Sequence, residues 1–272
     1  MKKEVPVIEF RGVSKRFGKK TVLDDISLEI RTGELFAIIG RSGSGKSTLM
    51  KIFLGIHQPN KGKVFFEGKD ITKRPGALKT LVGLTTQENS FYEKLSVYEN
   101  MMYYGNLFGV NLPRKAMREA ILSILKDVEL DHELKTLAGN LSGGMKRRLD
   151  FAISMIHDPR ILILDEPTTG LDPILVEQFW KIIRNVAKSG KTIIVISHIF
   201  PELEANCDRA CILHKGKIKR IVEIKEDTEL FGIFRQEAGE AKREGSAGRT
   251  EERVMSAGIA GKATIKREAR KK

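Results

Sequence analysis

Residues 40–48 read Gly40-Arg41-Ser42-Gly43-Ser44-Gly45-Lys46-Ser47-Thr48, a complete G-x-x-x-x-G-K-[ST] pattern between the apolar run Leu35–Ile39 and the segment 49–54. No other feature constrains the fold as tightly. The pattern works only where a buried strand ends, a glycine-rich loop curls and a helix begins. In that setting successive backbone N–H groups point inward at an anion and the helix N-terminus adds its positive dipole end. Lys46 supplies charge for the outer phosphates, and the Ser47 hydroxyl a ligand for Mg²⁺. The chain is therefore expected to bind a nucleoside triphosphate.

A second apolar run, residues 161–164, ends in Asp165-Glu166-Pro167. Four branched side chains in succession suit a strand covered on both faces, and in a parallel sheet ligands gather beyond the carboxyl ends of the strands. Asp165 is expected to face the metal held by Ser47, and Glu166, one residue on, to sit beside the terminal phosphate where it can activate water. A third run, residues 192–197, ends in His198 at the equivalent place and points to a phosphate-sensing role. The predicted class is α/β with a phosphate-loop core sheet.

The segment Leu141-Ser142-Gly143-Gly144-Met145-Lys146-Arg147-Arg148-Leu149 has Met145 20 positions before Asp165. It resembles the signature motif of ATP-binding-cassette (ABC) ATPases. Ser142, Gly143 and Gly144 open a helix whose exposed N–H groups can meet a phosphate. No phosphate is left over within the same chain, so a second subunit is expected to supply it. Other parts of the family's pattern follow in order. Phe17 matches the aromatic that stacks on adenine, and Gln87 the glutamine linking Mg²⁺ to the helical subdomain. Thr169-Gly170-Leu171-Asp172 matches the segment that crosses the dimer interface. The resemblance covers about residues 5–225.

The resemblance implies ATP as substrate with Mg²⁺ held by Ser47, Gln87 and Asp165. Catalysis would rest on Glu166, His198, Lys46 and Gln87. It also implies ATP-driven pairing of two cassettes, as a homodimer or with a paired ABC subunit, beside a separate transmembrane permease at the cytoplasmic face of the membrane. The signature carries Met145 where glutamine is commonest. With the following Thr-Gly-Leu-Asp-Pro, this resembles the exporter branch that includes drug-resistance, sodium-efflux and lipo-oligosaccharide ATPase subunits. The competing reading is a soluble cassette ATPase of DNA repair or translation. Such relatives usually carry a long coiled-coil insertion, an iron-sulfur region or two cassettes, none visible here. A GTP-binding switch would want an Asn-Lys-x-Asp motif, which is absent.

The 272 residues, 41% hydrophobic and 31% charged, are enough to bury a sizeable core. No run approaches the ~18 consecutive apolar residues of a membrane span, and residues 1–6 lack the apolar region of a signal peptide. A chain made and kept inside the cell is expected. Cys207 and Cys211 have a spacing unlike the usual zinc pairs and read as structural thiols.

Periodicity organises the rest. Residues 26–30 alternate as a half-buried strand, and 63–69 read as another strand running into a turn, suggesting a small antiparallel sheet beside the core. Met117, Ile121, Ile124, Leu125 and Val128 fall on one helical face opened by Pro113, making residues 88–157 a mainly helical insertion that carries the signature. Beyond His198 a short helix, a strand near 210–213, a Lys215-Gly216-Lys217 turn and a final strand around 218–222 are expected. The nucleotide-binding domain is set at residues 1–225. From about Glu226 the pattern fades, and 226–272 reads as a basic, flexible tail. Residues 235–272 hold 11 basic and 6 acidic side chains, a net +5 of the chain's +13. This excess fits a solvated tail or contact with anionic lipid or a partner subunit; nucleic acid is not expected.

Overall fold

The computed structural model describes residues 5–73, 75–78 and 80–239. Residues 5–228 form one unit with two sheets. The first is antiparallel, built from β1 (Ile8–Phe17), β2 (Lys20–Ile30), β4 (Lys61–Phe66) and β5 (Lys69–Asp70) in the order β2-β1-β4-β5. The second contains β3 (Leu35–Ile39), β6 (Val82–Thr85), β7 (Ile161–Asp165), β8 (Thr192–Ile196), β9 (Arg209–His214) and β10 (Lys217–Glu223) in the order β10-β9-β3-β8-β7-β6. Five of its strands run parallel; β10 returns antiparallel through the turn at Lys215 and Gly216.

Why these runs become central strands is visible in their burial. Every residue of β3 and β8 is buried, as are the first four of β7. Alternate side chains point to opposite faces. One set, Phe36, Ile38, Ile161, Ile163, Ile194 and Ile196, joins a core shared with α1 (Lys46–Phe53) and with Phe10, Ile26 and Leu28 of the antiparallel sheet. The helix that follows the phosphate loop is thus held between the two sheets by Leu49, Met50, Ile52 and Phe53.

Between β6 and β7 lie α2 (Val97–Leu107), α3 (Arg114–Asp127) and α4 (Gly143–Met155). Met117, Ile121, Leu125 and Val128 are buried, and Ile124 is half-buried. A capping box between Ser96 and Glu99 starts α2. After β7 come α5 (Pro173–Lys188) and α6 (Phe200–Asn206). The fading pattern after Glu226 is corrected in part, because residues 230–237 form a short helix, α7 (Leu230–Glu237), with Leu230 and Phe234 buried. They share one face at i, i+4 spacing, a signal too short to read against the polar residues around it. The stretch 240–272, expected to be flexible and available to lipid, lies outside the described residues.

Candidate active site

The parallel sheet aligns three strand ends. Asp165 closes β7 opposite Ile196, which closes β8, and β3 is the next strand over. The loops leaving β3, β7 and β8 therefore converge, and they line a cleft of about 880 Å³ with Gly40–Thr48, Gln87, Asp165, Glu166, Thr169 and His198 on its walls. The expected phosphate loop, water-activating glutamate, histidine, metal-facing aspartate and linking glutamine are all in one cavity. Lys20 and Val22 of β2 also line it and were not anticipated.

The loop's shape depends on Gly45, the N-cap of α1 with φ +109°. A Cβ there would lie 2.7 Å from Leu23 Cδ2 and 3.0 Å from the Val22 carbonyl oxygen, so the loop can press against β2 only with glycine in place. No side chain caps α1 and its first turn holds no acid, which leaves its N–H groups to an anion. The Ser44 hydroxyl is buried with no protein partner, an orphaned polar atom that a phosphate oxygen would satisfy.

Lys46 Nζ donates to the carbonyl oxygens of Gly40 (2.6 Å) and Arg41 (3.2 Å) and so stands over the loop. Burial pulls its ammonium below the usual lysine value, while Glu166 and Asp165 pull it back up. Burial raises Asp165, the Glu166 charge adds to this, and Lys46 and Lys51 oppose it. The cleft thus sets the part-buried Lys46 ammonium against two acids, with Lys20 and Arg41 also on its walls, a charge set suited to a polyanion and a metal.

Glu166 adopts φ +49°, a left-handed conformation costly for a side chain of this length. Its N–H donates to the Ile196 carbonyl at 2.8 Å, fixing the turn to the end of β8. Its carboxylate meets His198, Oε1 to Nδ1, at 2.8 Å, and Thr169 Oγ1 donates to Oε2 at 3.4 Å. The glutamate side chain is 16% exposed and the histidine 65%, so the pair spans the cleft from wall to mouth.

Gln87 follows β6 and is tied to α4 from both sides. Arg147 donates to the Thr86 carbonyl at 3.3 Å, and the Ser90 N–H donates to Asp150 Oδ1 at 2.9 Å. Asp150 is buried, its second oxygen unpartnered, and burial raises its carboxyl above the ordinary value.

Two expected groups lie outside the cleft. Ser142 caps α4 by accepting from the Met145 N–H at 3.3 Å, and Ser142 and Gly143 are exposed while Gly144 packs against Leu175. Phe17 is 45% exposed at the end of β1, paired in register with Lys20 of the cleft wall. Its ring meets His57 edge-on at 5.2 Å, with Lys15 Nζ 5.0 Å from its centroid. Cys207 and Cys211 are buried free thiols, the latter pushed up to about 12 by burial.

Comparison with known proteins agrees with this geometry. The family described as "ABC transporter" matches residues 23–169. The chain belongs to that family. It is an ABC ATPase, an ATP-binding subunit that couples ATP hydrolysis to transport. It is 37% identical over 210 residues to a Nod factor export ATP-binding protein I of a Rhizobium species, covering 77% of this chain and 68% of the relative. It is 36% identical over 213 residues to the protein of that name in Burkholderia lata, covering 78% and 69%. Among solved structures it resembles cbiO1 of Clostridium perfringens, part of the ABC transporter complex cbiONQ, with a TM-score of 0.77 and 29% identity over 86% of this chain and 96% of that one. Among the described residues of this ABC subunit, no helix is long and apolar enough to cross a membrane.

Proposed function

We propose that the chain powers export through a separate membrane-spanning permease at the cytoplasmic face of the membrane. Two cassettes, this chain with a second copy or with a paired ABC subunit, close head to tail on ATP. The observation that carries the hydrolytic part is the Glu166–His198 contact of 2.8 Å on the wall of the phosphate-loop cleft. Export draws support from the Nod factor export proteins among the relatives and from the Met145 form of the signature.

The Ser47 hydroxyl, Gln87 amide and Asp165 carboxylate all line the cleft, and such a hard-oxygen set fits Mg²⁺. When bound, Mg²⁺ would offset charge on the outer phosphates. Lys46 and the loop N–H groups hold the phosphates, with Phe17 at the base end. Glu166 orients and polarises the attacking water. His198 braces Glu166 through Nδ1 and holds the terminal phosphate and water in line. Ser142, Gly143 and Gly144 of the opposing cassette close on the same phosphate. Positioning and charge stabilisation supply most of the acceleration.

Glu166→Gln tests this reading. The amide keeps the shape and loses the charge, so turnover should fall by about 10²-fold or more while ATP binding persists. ATP-trapped dimers should accumulate in size-exclusion chromatography with Mg²⁺. Near-normal turnover would remove Glu166 from the role.

A further inference from the structure

The strained turn at Glu166 is fixed to β8 through the Ile196 carbonyl, and a second set of contacts anchors the residues that follow it. Four residues beyond His198, in α6, stands Glu202. Its Oε2 accepts from Thr168 Oγ1 at 2.7 Å and from Trp180 Nε1 at 2.6 Å. Thr168 lies two residues after Glu166, and Trp180 lies on α5; both are 2% exposed. The neighbouring turn of α6 is fastened to the same helix, since Arg184 of α5 donates to Asn206 Oδ1 and Asn206 Nδ2 donates to the Glu202 carbonyl at 2.7 Å.

One carboxylate oxygen therefore joins three elements: the turn that carries Glu166, the segment that carries His198, and α5. Hydrogen bonds to a charged acceptor are stronger than neutral ones, and these two are short, with both donors buried and the carboxylate part-buried. The geometry matters because the left-handed Glu166 would relax toward ordinary backbone if the turn were released.

We propose that Glu202 is a positioning residue that, through Thr168, holds Glu166 and His198 in their 2.8 Å contact. Glu202 itself does not line the cleft. The proposal rests on the reading of Glu166 and His198 as the hydrolytic pair.

The deciding experiment compares two substitutions at Thr168 in the full chain, because they separate hydrogen bonding from packing. Valine keeps the volume and loses the hydroxyl; serine keeps the hydroxyl and loses a methyl. Thr168→Val should lower kcat about tenfold with KM for ATP changed less than about twofold, and Thr168→Ser should stay near wild type. Glu202→Gln should fall in kcat likewise, and if it does not fold, the Thr168 pair still decides. If Thr168→Val is as active as Thr168→Ser or more so, packing alone explains the site and the proposal is overturned. Glu166→Gln measured alongside keeps the two readings apart. Normal turnover in Glu166→Gln sinks the hydrolytic assignment, whereas a dead Glu166→Gln beside an active Thr168→Val sinks only the Glu202 role.

Discussion

The helices α1 and α4 both begin with a glycine-rich segment and lack acids in their first turns, yet they end up in opposite situations. The first opens inside the cleft, with no side-chain cap, a left-handed Gly45 and a buried, unpartnered Ser44 hydroxyl beside it. The second opens outside the cleft, its N-cap Ser142 already bonded to Met145. One helix N-terminus is built into a phosphate site by its own chain. The other is capped by its own serine, with Ser142 and Gly143 exposed at its start, which fits half of a site shared with a second cassette.

The sharpest way to break this contrast is to disable each N-terminus in turn. Lys46→Ala and Ser142→Arg should each lower ATPase activity by about 10²-fold or more alone. A mixed dimer pairs the intact phosphate loop of the Ser142→Arg chain with the intact signature of the Lys46→Ala chain, so partial activity should return. ATPase assays on mixed subunits, with the dimer verified, check this; no recovery alongside a failed crosslink between cysteines at positions 42 and 142 would mean that each chain works alone.

Next in size is the glycine comparison. Gly45→Ala should cost about 1–3 kcal/mol and weaken ATP binding, because the strained φ and the contact with Leu23 cannot both be relieved. Gly143 has no atom within 4 Å of an added Cβ and no positive φ, so Gly143→Ala should leave the melting temperature nearly unchanged and lower only dimer-dependent hydrolysis. Thermal melting and nucleotide-binding titration on both variants separate the cases; equal destabilisation would erase the contrast.

The smallest effect concerns how α4 is held against the Gln87 segment. Asp150 has a folded carboxyl above its ordinary 3.8, so between 3.8 and its raised value the folded state binds more protons than the unfolded one. Its contribution to stability therefore falls as pH rises through that window. Asp150→Asn keeps an acceptor for the Ser90 N–H and carries no charge, so it should gain about 1 kcal/mol at neutral pH, with the gain shrinking toward about pH 4. Melting curves across that range test the sign.

The cleft was legible because its main walls are contiguous words in the sequence. A strand-loop-helix pattern and two apolar runs ending in Asp165-Glu166 and His198 need only the rule that ligands sit at parallel strand ends. What stayed hidden depends on distant partners. Lys20 and Val22 reach the cleft only because Gly45 lets the loop touch β2. β6 was missed because it is four residues long and contains Gly83, where a Cβ would lie 2.2 Å from the Ser154 carbonyl oxygen of α4. A glycine demanded by close helix packing looks in sequence like a strand breaker. Glu202 reads as one helical acid among several until Thr168 and Trp180 are seen converging on it.

The two sheets have separate hydrogen-bond ladders, but polar contacts cross between them: Lys217 of β10 pairs with Asp24 of β2 at 3.1 Å, and the Asp24 N–H donates to the Gly216 carbonyl at 2.8 Å. Arg209 of β9 donates to Glu34 at 3.0 Å and to the Glu29 carbonyl of β2 at 3.5 Å, with both side chains buried. Burial raises Glu34, and the Arg31 N–H and the Arg209 charge hold it back. Peeling the antiparallel sheet away would break the Lys217–Asp24 pair and the Arg209–Glu29 bond, and would open the buried Arg209–Glu34 pair to water. Local opening of one sheet alone is thereby disfavoured, and because both sheets bury side chains in one shared core, they are expected to open together rather than to fray separately.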